Sequence, residues 1–440
     1  MRQAIDSTRY VHTIEQAELS GPVGKVVECS GSTLICSGLD ACLGDICQIQ
    51  SLQEETPVLA EVVGFRDGKL ICLPQTSTRG VYPGARVTRI GGVPSIKVSD
   101  AFIGRVVDAY GYPIDGKGDI AGVEAMPLLP APINPLSRQL ITEPLHSGVA
   151  IIDSCLPLGK GQRVGIFAGS GVGKSTLLAM LAKHSSADIN VIALIGERGR
   201  EVEEFIEYTL GPEGMRNTVI LVATADALPL VRVNAAYTAS SIAEYFCQKG
   251  KDVLFIMDSV TRFATAYREI GLARGEPPTS RGYTPSTFSV LPALIERTGN
   301  FKNKGSITGI YSVLVEGDDF NEPVSDNLRA VLDGHIMLTR EMANKGQFPA
   351  VSVLDSISRL ADKVANEDQA KVAHKVRRLL ALYDENKDRV AIGAYTEGQN
   401  HELDFAIRVM PRLQQIFHQS SDESMPVSEL MTKLTKVLGL

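Results

Sequence analysis

An apolar run from Val164 to Phe167 leads into Ala168-Gly169-Ser170-Gly171-Val172-Gly173-Lys174-Ser175-Thr176, and Leu177 to Ala182 then reads as helix. Strand, glycine-rich loop, Lys-Ser and helix in that order restrict the chain to a small set of folds, because this is the context of a phosphate-binding loop. Glycines let successive backbone N–H groups point inward at a polyphosphate, and the helix N-terminus adds a favourable field. On this reading Gly169, Ser170, Gly171, Val172, Gly173, Lys174, Ser175 and Thr176 form the cradle. Lys174 reaches the β- and γ-phosphates, and the Ser175 hydroxyl ligates Mg²⁺. Ala168 stands where such loops usually have their first glycine; the remaining glycines are expected to preserve the loop.

A phosphate cradle alone implies nucleotide binding, and hydrolysis needs more. Val253-Leu254-Phe255-Ile256-Met257-Asp258 is an apolar strand ending in a carboxylate, the second half of such a site, where Asp258 holds the metal, usually through water. Asn190 to Ile195 is another apolar strand, followed by Gly196-Glu197-Arg198-Gly199-Arg200-Glu201. Glu197 falls at the C-terminal end of its strand, on the same sheet edge as Lys174 and Asp258, where ligands of open α/β sheets bind. It is the candidate base that orients the attacking water. Glu201 and Glu203 fit a solvated helix face. Charge developing on a transferred phosphoryl group calls for an arginine. The chain offers Arg262, Arg329, Arg340 and Arg359, which composition does not rank.

The 440 residues suffice for two or three domains. A net charge of −7 gives no global basic footprint, so nucleic acid is not the expected partner. No run of about 18 apolar residues occurs, so no membrane-spanning helix is expected, and Met1 to Leu19 lacks the apolar core of a signal peptide. Seven cysteines, at 29, 36, 42, 47, 72, 155 and 247, lie mostly in apolar text without metal-ligand spacing. They read as reduced core or near-core thiols of a cytosolic protein.

Residues 1–16 read as a loose leader and 17–94 as a small β-barrel. Within the barrel, Val23–Glu28, Thr33–Cys36, Asp45–Ser51, Thr56–Phe65, Lys69–Leu73 and Arg86–Thr88 are short strands, with a hairpin turn at Asp67-Gly68. Its surface lacks interleaved aromatic and basic residues, which favours a scaffold or oligomerisation role. Prolines 127, 130, 132, 135 and 144 mark a stiff connector into a domain spanning 95–359. From about Gly148 strands and helices alternate. The strand candidates are Arg163–Phe167, Ile189–Ile195, Thr218–Ala223, Asp252–Met257, Gly305–Val315, His335–Leu338 and Arg389–Ile392. Near-continuous apolar strands between helices predict an α/β fold with a largely parallel sheet covered on both faces. Residues 360–440 read as a helical domain, with helices over Lys371–Tyr383, Phe405–Phe417 and Ser428–Leu438, the second kinked or divided at Pro411.

Together these motifs resemble the catalytic ATPase of type III protein secretion and flagellar protein export, and more distantly the catalytic subunit of rotary ATP synthases. The resemblance is carried by Ala168–Thr176, Ile195–Glu201, Tyr245-Phe246 with Phe255–Arg262, Gly275–Arg297, Leu332–Ile336 and Phe348–Arg359, with barrel text such as Ala60–Phe65. It implies an N-terminal β-barrel, a RecA-like central domain and a C-terminal helical domain, assembled as a homohexamer with nucleotide sites between subunits. It implies that Arg359 is an arginine finger reaching the neighbouring site, that Phe348 stacks on adenine, and that Arg198 accompanies the catalytic Glu197. ATP and Mg²⁺ are the implied cofactors. A central stalk protein, a peripheral stator or regulator, export chaperone–substrate complexes and an export gate are the implied partners. The implied location is cytoplasmic, peripheral to the inner membrane face of a secretion apparatus. Two departures from the rotary subunits stand out: Ser175 replaces their usual Thr, and residues 420–440 contain no Phe, Tyr or Trp, which implies a more open adenine pocket. That tail looks more like a docking element for substrate or chaperone.

Two rival classes remain. One is a subunit of a rotary proton- or sodium-translocating ATP synthase, either catalytic or regulatory; a regulatory subunit is expected to lack the water-orienting carboxylate, and Glu197 is present. A ring-shaped RNA translocase calls for basic or aromatic nucleic-acid surfaces, which the barrel text does not provide.

Overall fold

The computed structural model describes residues 22–52, 56–92, 94–315, 317, 319–320 and 322–440; the leader expected over residues 1–16 lies outside them. The chain divides after Pro94 into two compact units.

The first unit is a closed six-stranded antiparallel barrel of order β1-β2-β5-β4-β3-β6. Its strands are β1 (Val23–Ser30), β2 (Thr33–Ser37), β3 (Ile46–Ile49), β4 (Val58–Arg66), β5 (Lys69–Pro74) and β6 (Arg86–Gly91). Alternation sets the inward face: Leu34 and Cys36 on β2, Cys47 and Ile49 on β3, and Val58, Ala60 and Val62 on β4 are all buried. At the β4–β5 turn, Asp67 and Gly68 both take positive φ, 51° and 70°. Those are the angles a tight two-residue hairpin needs, and Asp-Gly tolerates them. Cys36, Cys47 and Cys72 fill the interior as small apolar groups, Cys155 and Cys247 are buried in the second unit, Cys29 and Cys42 are exposed, and all seven are free thiols.

The second unit is organised on a nine-stranded sheet. Its main strands are β7 (Val106–Val107), β8 (Arg163–Ala168), β9 (Ile189–Ile195), β10 (Thr218–Ala223), β11 (Val253–Asp258), β12 (Ser306–Leu314), β13 (Gly334–Leu338) and β14 (Val351–Ser358). They lie in the order β14-β13-β8-β12-β11-β9-β10-β7, with the short strand Gly299–Asn300 pairing beside β12. Neighbours along this path are parallel except β13 and β14. Every residue of β9, β10 and β11 is buried, as expected for strands covered on both faces.

The second unit's helices include α1 (Ala150–Cys155), α2 (Lys174–His184), α3 (Pro229–Gln248), α4 (Val260–Arg274), α5 (Glu367–Ala391), α6 (His401–Phe417) and α7 (Val427–Leu438). One core runs from the sheet through α1 and α2 into the C-terminal helices: Ile166, Leu178, Ile152, Val376, Leu413 and Leu434 belong to a single buried cluster. The C-terminal helices are therefore packed on the same body as the glycine-rich loop.

Two expectations need correction. Arg389–Ile392 is no strand; it is the last turn of α5 and its C-cap. Ile392 is exposed at the helix end. Pro411 does not divide α6, which runs unbroken from His401 to Phe417. The missing N–H costs one rung, but Leu403, Ala406, Met410, Leu413 and Phe417 remain buried along one side and hold the helix together. Beyond Arg198 the chain forms a short α-helix, Gly199–Glu204, continuing as a wider π-helical turn over Phe205–Leu210.

Candidate nucleotide-binding site

The parallel strands β8, β11 and β9 end on one edge, and there the sequence-predicted residues meet. β8 runs out at Ala168 and α2 begins at Lys174. Between them Gly171 and Gly173 have φ of 78° and 89°, a left-handed conformation that glycine adopts without strain. Gly169 and Val172 are buried, whereas Ser170, Gly171, Ser175 and Thr176 are exposed. The loop thus presents its backbone and the Ser175–Thr176 hydroxyl side to solvent at the start of an 11-residue helix.

Lys174 lies across the ends of the neighbouring strands. Its Nζ donates to Asp258 Oδ1 and stands 3.9 Å from Glu197 Oε1. Asp258, at the end of β11, is buried, and its Oδ1 also accepts the Ser312 hydroxyl at 2.7 Å. Ser312 reaches it because β12 lies between β8 and β11, in register with Ile166. Burial and the nearby Asp258 carboxylate push the Glu197 carboxyl up to about 7, against the opposing pull of Lys174. Gly196 makes this approach feasible: it has φ 72°, and a Cβ there would lie 2.8 Å from Arg262 Cβ. Arg262 thus packs beneath the Glu197 turn from the first turn of α4, and its own N–H is capped by Ser259 Oγ at 3.3 Å.

Phe348 joins this edge from far along the chain. It precedes β14, whose first residue Val351 pairs with Leu338 at the end of β13. A Cβ on Gly173 would lie 3.5 Å from the Phe348 ring, so the aromatic rests beside the loop, 40% exposed. The Phe348 carbonyl accepts from Gln419 N–H at 3.0 Å.

Two predicted residues are not brought to this cluster. Arg359 follows β14, which runs antiparallel to β13 and away from the loop. Its N–H donates to the Asp333 carbonyl at 3.0 Å, while the Asp333 carboxylate accepts from Arg163 N–H, at the start of β8. Arg359 therefore lies at the opposite sheet edge from Lys174 of the same chain, roughly 20 Å away by the rise of a six-residue strand. Its guanidinium is exposed and donates to the Arg329 carbonyl at 3.1 Å. Arg198 is also exposed and pairs with Glu201 at 3.3 Å.

Sequence reading missed Ser312 and Gln419. Each is a single polar residue whose partner lies far away in sequence, and neither belongs to a local motif. A Ser inside the apolar text of Gly305–Val315 is the only available hint for the first. Among the described residues no group of three or more His, Cys, Asp or Glu side chains is arranged to hold a metal. No helix among them is long and apolar enough to cross a membrane.

Comparison with known proteins agrees with this geometry. Residues 148–358 match the nucleotide-binding domain of the ATP synthase alpha/beta family, and residues 24–91 match its β-barrel domain. Residues 365–436 match the T3SS EscN ATPase C-terminal domain. The chain is 48% identical to the flagellum-specific ATP synthase of Bacillus subtilis (strain 168), an alignment covering 98% of each protein. Among solved structures it resembles the assembled ATPase EscN from the enteropathogenic E. coli type III secretion system, with TM-score 0.88 and 41% identity over 94% of this chain and all of the other. The structure of assembled EscN in complex with its central stalk EscO matches with TM-score 0.87, at 41% identity over 94% of this chain and all of the other.

Proposed function

The chain belongs to the ATP synthase alpha/beta family, in the branch of flagellum-specific and type III secretion ATPases, and from that premise we propose that it is a Mg²⁺-dependent ATPase whose homohexameric ring energises type III protein export, releasing and unfolding export substrates. The observation that carries the catalytic part is the convergence of Lys174, Asp258 and Glu197 on one sheet edge beside an open glycine-rich loop.

The residues present suit the metal. Ser175 and Asp258 are hard oxygen donors flanking Lys174, and the lack of an all-protein carboxylate cage among the described residues fits an ion that keeps few protein ligands and shares phosphate oxygens. When bound there, Mg²⁺ supplies neutralisation of the phosphate charge. The residues of the chain do the rest. Backbone N–H groups of 169–174 hold the phosphates. Lys174 exchanges its contact with Asp258 for the β- and γ-phosphates, and Ser312 retains Asp258 as the lysine leaves. Glu197, close to Lys174 yet buried enough to bind a proton near neutrality, orients and deprotonates the attacking water. Phe348 stacks on the base. Arg359, exposed at the far edge of its own sheet, serves the site of a neighbouring copy and stabilises the phosphoryl charge there, with Arg198 acting near the same interface.

A central stalk in the ring, a peripheral stator or regulator, chaperone–substrate complexes and an export gate complete the assembly, at the cytoplasmic face of the inner membrane.

The deciding experiment is phosphate release from Mg-ATP as a function of protein concentration, for wild type, Glu197→Gln and Arg359→Ala. Specific activity is expected to rise steeply as rings assemble. Glu197→Gln should bind ATP with wild-type affinity and turn over at least about a hundredfold more slowly, as loss of a general base does. Arg359→Ala should form rings that do not hydrolyse. Activity independent of concentration, or wild-type turnover in either variant, overturns the proposal.

A further inference from the structure

Gln419 joins the C-terminal helices to the candidate base pocket. It follows α6 by two residues and is buried. Its backbone N–H donates to the Phe348 carbonyl at 3.0 Å. Its side-chain Oε1 accepts from Ala150 N–H at 2.9 Å, and Nε2 donates to the Gly148 carbonyl at 2.8 Å and to the Glu423 carbonyl. One residue thus ties together the turn before α1, the segment that carries Phe348, and the turn leading to α7.

The residues that follow hold the other end of the phosphate-loop helix. The Ser421 carbonyl accepts from His184 Nε2 at 3.0 Å, and Asp422 pairs with Lys183 at 2.8 Å. Lys183 and His184 are the last two residues of α2, the helix that opens at Lys174. Gly148 closes the arrangement from the other side: its φ is 72°, and a Cβ there would lie 2.3 Å from His184 Cβ. Residues 419–422 therefore form a short strap that grips the distal end of α2 while Gln419 holds the backbone of Phe348 beside its proximal end.

We infer that Gln419 is a positioning residue for the base pocket: it fixes Phe348 over the loop and, through the 419–422 strap, links the placement of α6 and α7 to base affinity. Its side chain is fully engaged with backbone groups, so it acts through Phe348 and not by touching the nucleotide. The inference rests on the reading of Phe348 as the base-stacking aromatic. It separates two parts of nucleotide recognition that use different elements: the phosphates depend on the loop and Lys174, and the base depends on Gln419 and the strap.

The test uses calorimetric titration of the full chain with Mg-ADP and with Mg-tripolyphosphate, which has phosphates and no base. The proteins are wild type, Gln419→Ala, Phe348→Ala and the double variant. If Gln419→Ala does not fold, as judged by circular dichroism, Gln419→Met keeps the volume and takes its place. The expected result is an ADP Kd raised about tenfold in Gln419→Ala, within the range of loss of one stacking contact, with the tripolyphosphate Kd unchanged within about twofold. In the Phe348→Ala background, Gln419→Ala should add no further loss, because the two act as one unit. Wild-type ADP affinity in Gln419→Ala, equal losses for both ligands, or additive losses in the double variant overturn the inference while leaving the Phe348 reading in place. Wild-type ADP affinity in Phe348→Ala instead removes that reading, and the inference with it.

Discussion

As the proposed base, Glu197 has to be a carboxylate to take a proton from water, yet the fold holds its carboxyl at about 7, up from an ordinary 4.5, through burial and the Asp258 charge. Two consequences follow for pH. The free protein loses its base as pH falls through about 7, so kcat/KM for Mg-ATP should show an acid limb centred near that value, and a limb near 4.5 would contradict the assignment. The second consequence concerns stability. The folded state binds this proton more tightly than the unfolded chain, so ionised Glu197 destabilises the fold. The penalty is absent below about 4.5, grows as pH rises from there, and is complete above about 7. Glu197→Gln should therefore unfold at higher urea than wild type at pH 8, by no more than roughly 3 to 4 kcal/mol from direct conversion of the rise from 4.5 to about 7, and the difference should vanish well below pH 4.5. A variant that is less stable than wild type at pH 8 would show that the charged group is favourably held. At this scale Lys174 and Asp258 were legible because local strings announce them. Ser312 and Gln419 were not, because hydrogen bonds to groups far along the chain leave no periodic or local signal.

Among the elements, β14 has the most consequential placement. It begins three residues after Phe348 on the loop edge and ends one residue before Arg359 on the opposite edge, so one strand sets the position of two functional candidates that face different sites. Its place depends on Gly334 in β13: a Cβ there would lie 2.5 Å from the Ile357 carbonyl oxygen, a backbone atom that cannot rotate away. Next to it, His335 Nε2 donates to the Asp355 carbonyl at 3.0 Å and the ring edge packs on Phe167, 5.9 Å between centroids. Gly334→Ala should force β14 off this register, costing about 1–3 kcal/mol in urea unfolding by overpacking and weakening both ADP affinity and turnover. Wild-type stability with wild-type turnover would mean that β14 shifts without consequence. The strand was hidden in the sequence for a physical reason. Val351-Ser352-Val353-Leu354-Asp355-Ser356-Ile357-Ser358 lies at a sheet edge, mixes polar and apolar residues, and lacks the unbroken apolar run that betrayed β9 and β11. Arg389–Ile392 misled in the opposite sense, since four residues of apolar and charged text at the end of a 25-residue helix carry too little period to tell the two states apart.

At the scale of the whole molecule, the geometry makes a single chain insufficient on the proposed mechanism. The loop edge carries Lys174, Glu197, Asp258 and Phe348, while Arg359 lies roughly a six-residue strand length, about 20 Å, away on the other edge, with its guanidinium exposed. No side chain spans that distance, so if Arg359 is catalytic its target belongs to another copy, through a head-to-tail contact of the kind that builds a ring when its rotation closes. The strongest prediction uses two variants that are each inactive for a different reason. Lys174→Ala removes the phosphate ligand and leaves the finger intact; Arg359→Ala removes the finger and leaves the loop intact. When the two are mixed in equal amounts and allowed to reassemble, contacts between an Arg359→Ala loop and a Lys174→Ala finger contain every required group. By random assembly these make up about a quarter of all contacts, so phosphate release should recover toward, and not beyond, about a quarter of the wild-type rate. Recovery must require subunit exchange: separately assembled rings held by crosslinking before mixing should stay inactive. If exchange is demonstrated by fluorescence transfer between labelled copies and the mixture remains inactive, Arg359 does not act across the interface. The phosphoryl charge would then have to be met by an arginine on the loop edge itself, where Arg262 beneath the Glu197 turn is the group already in place.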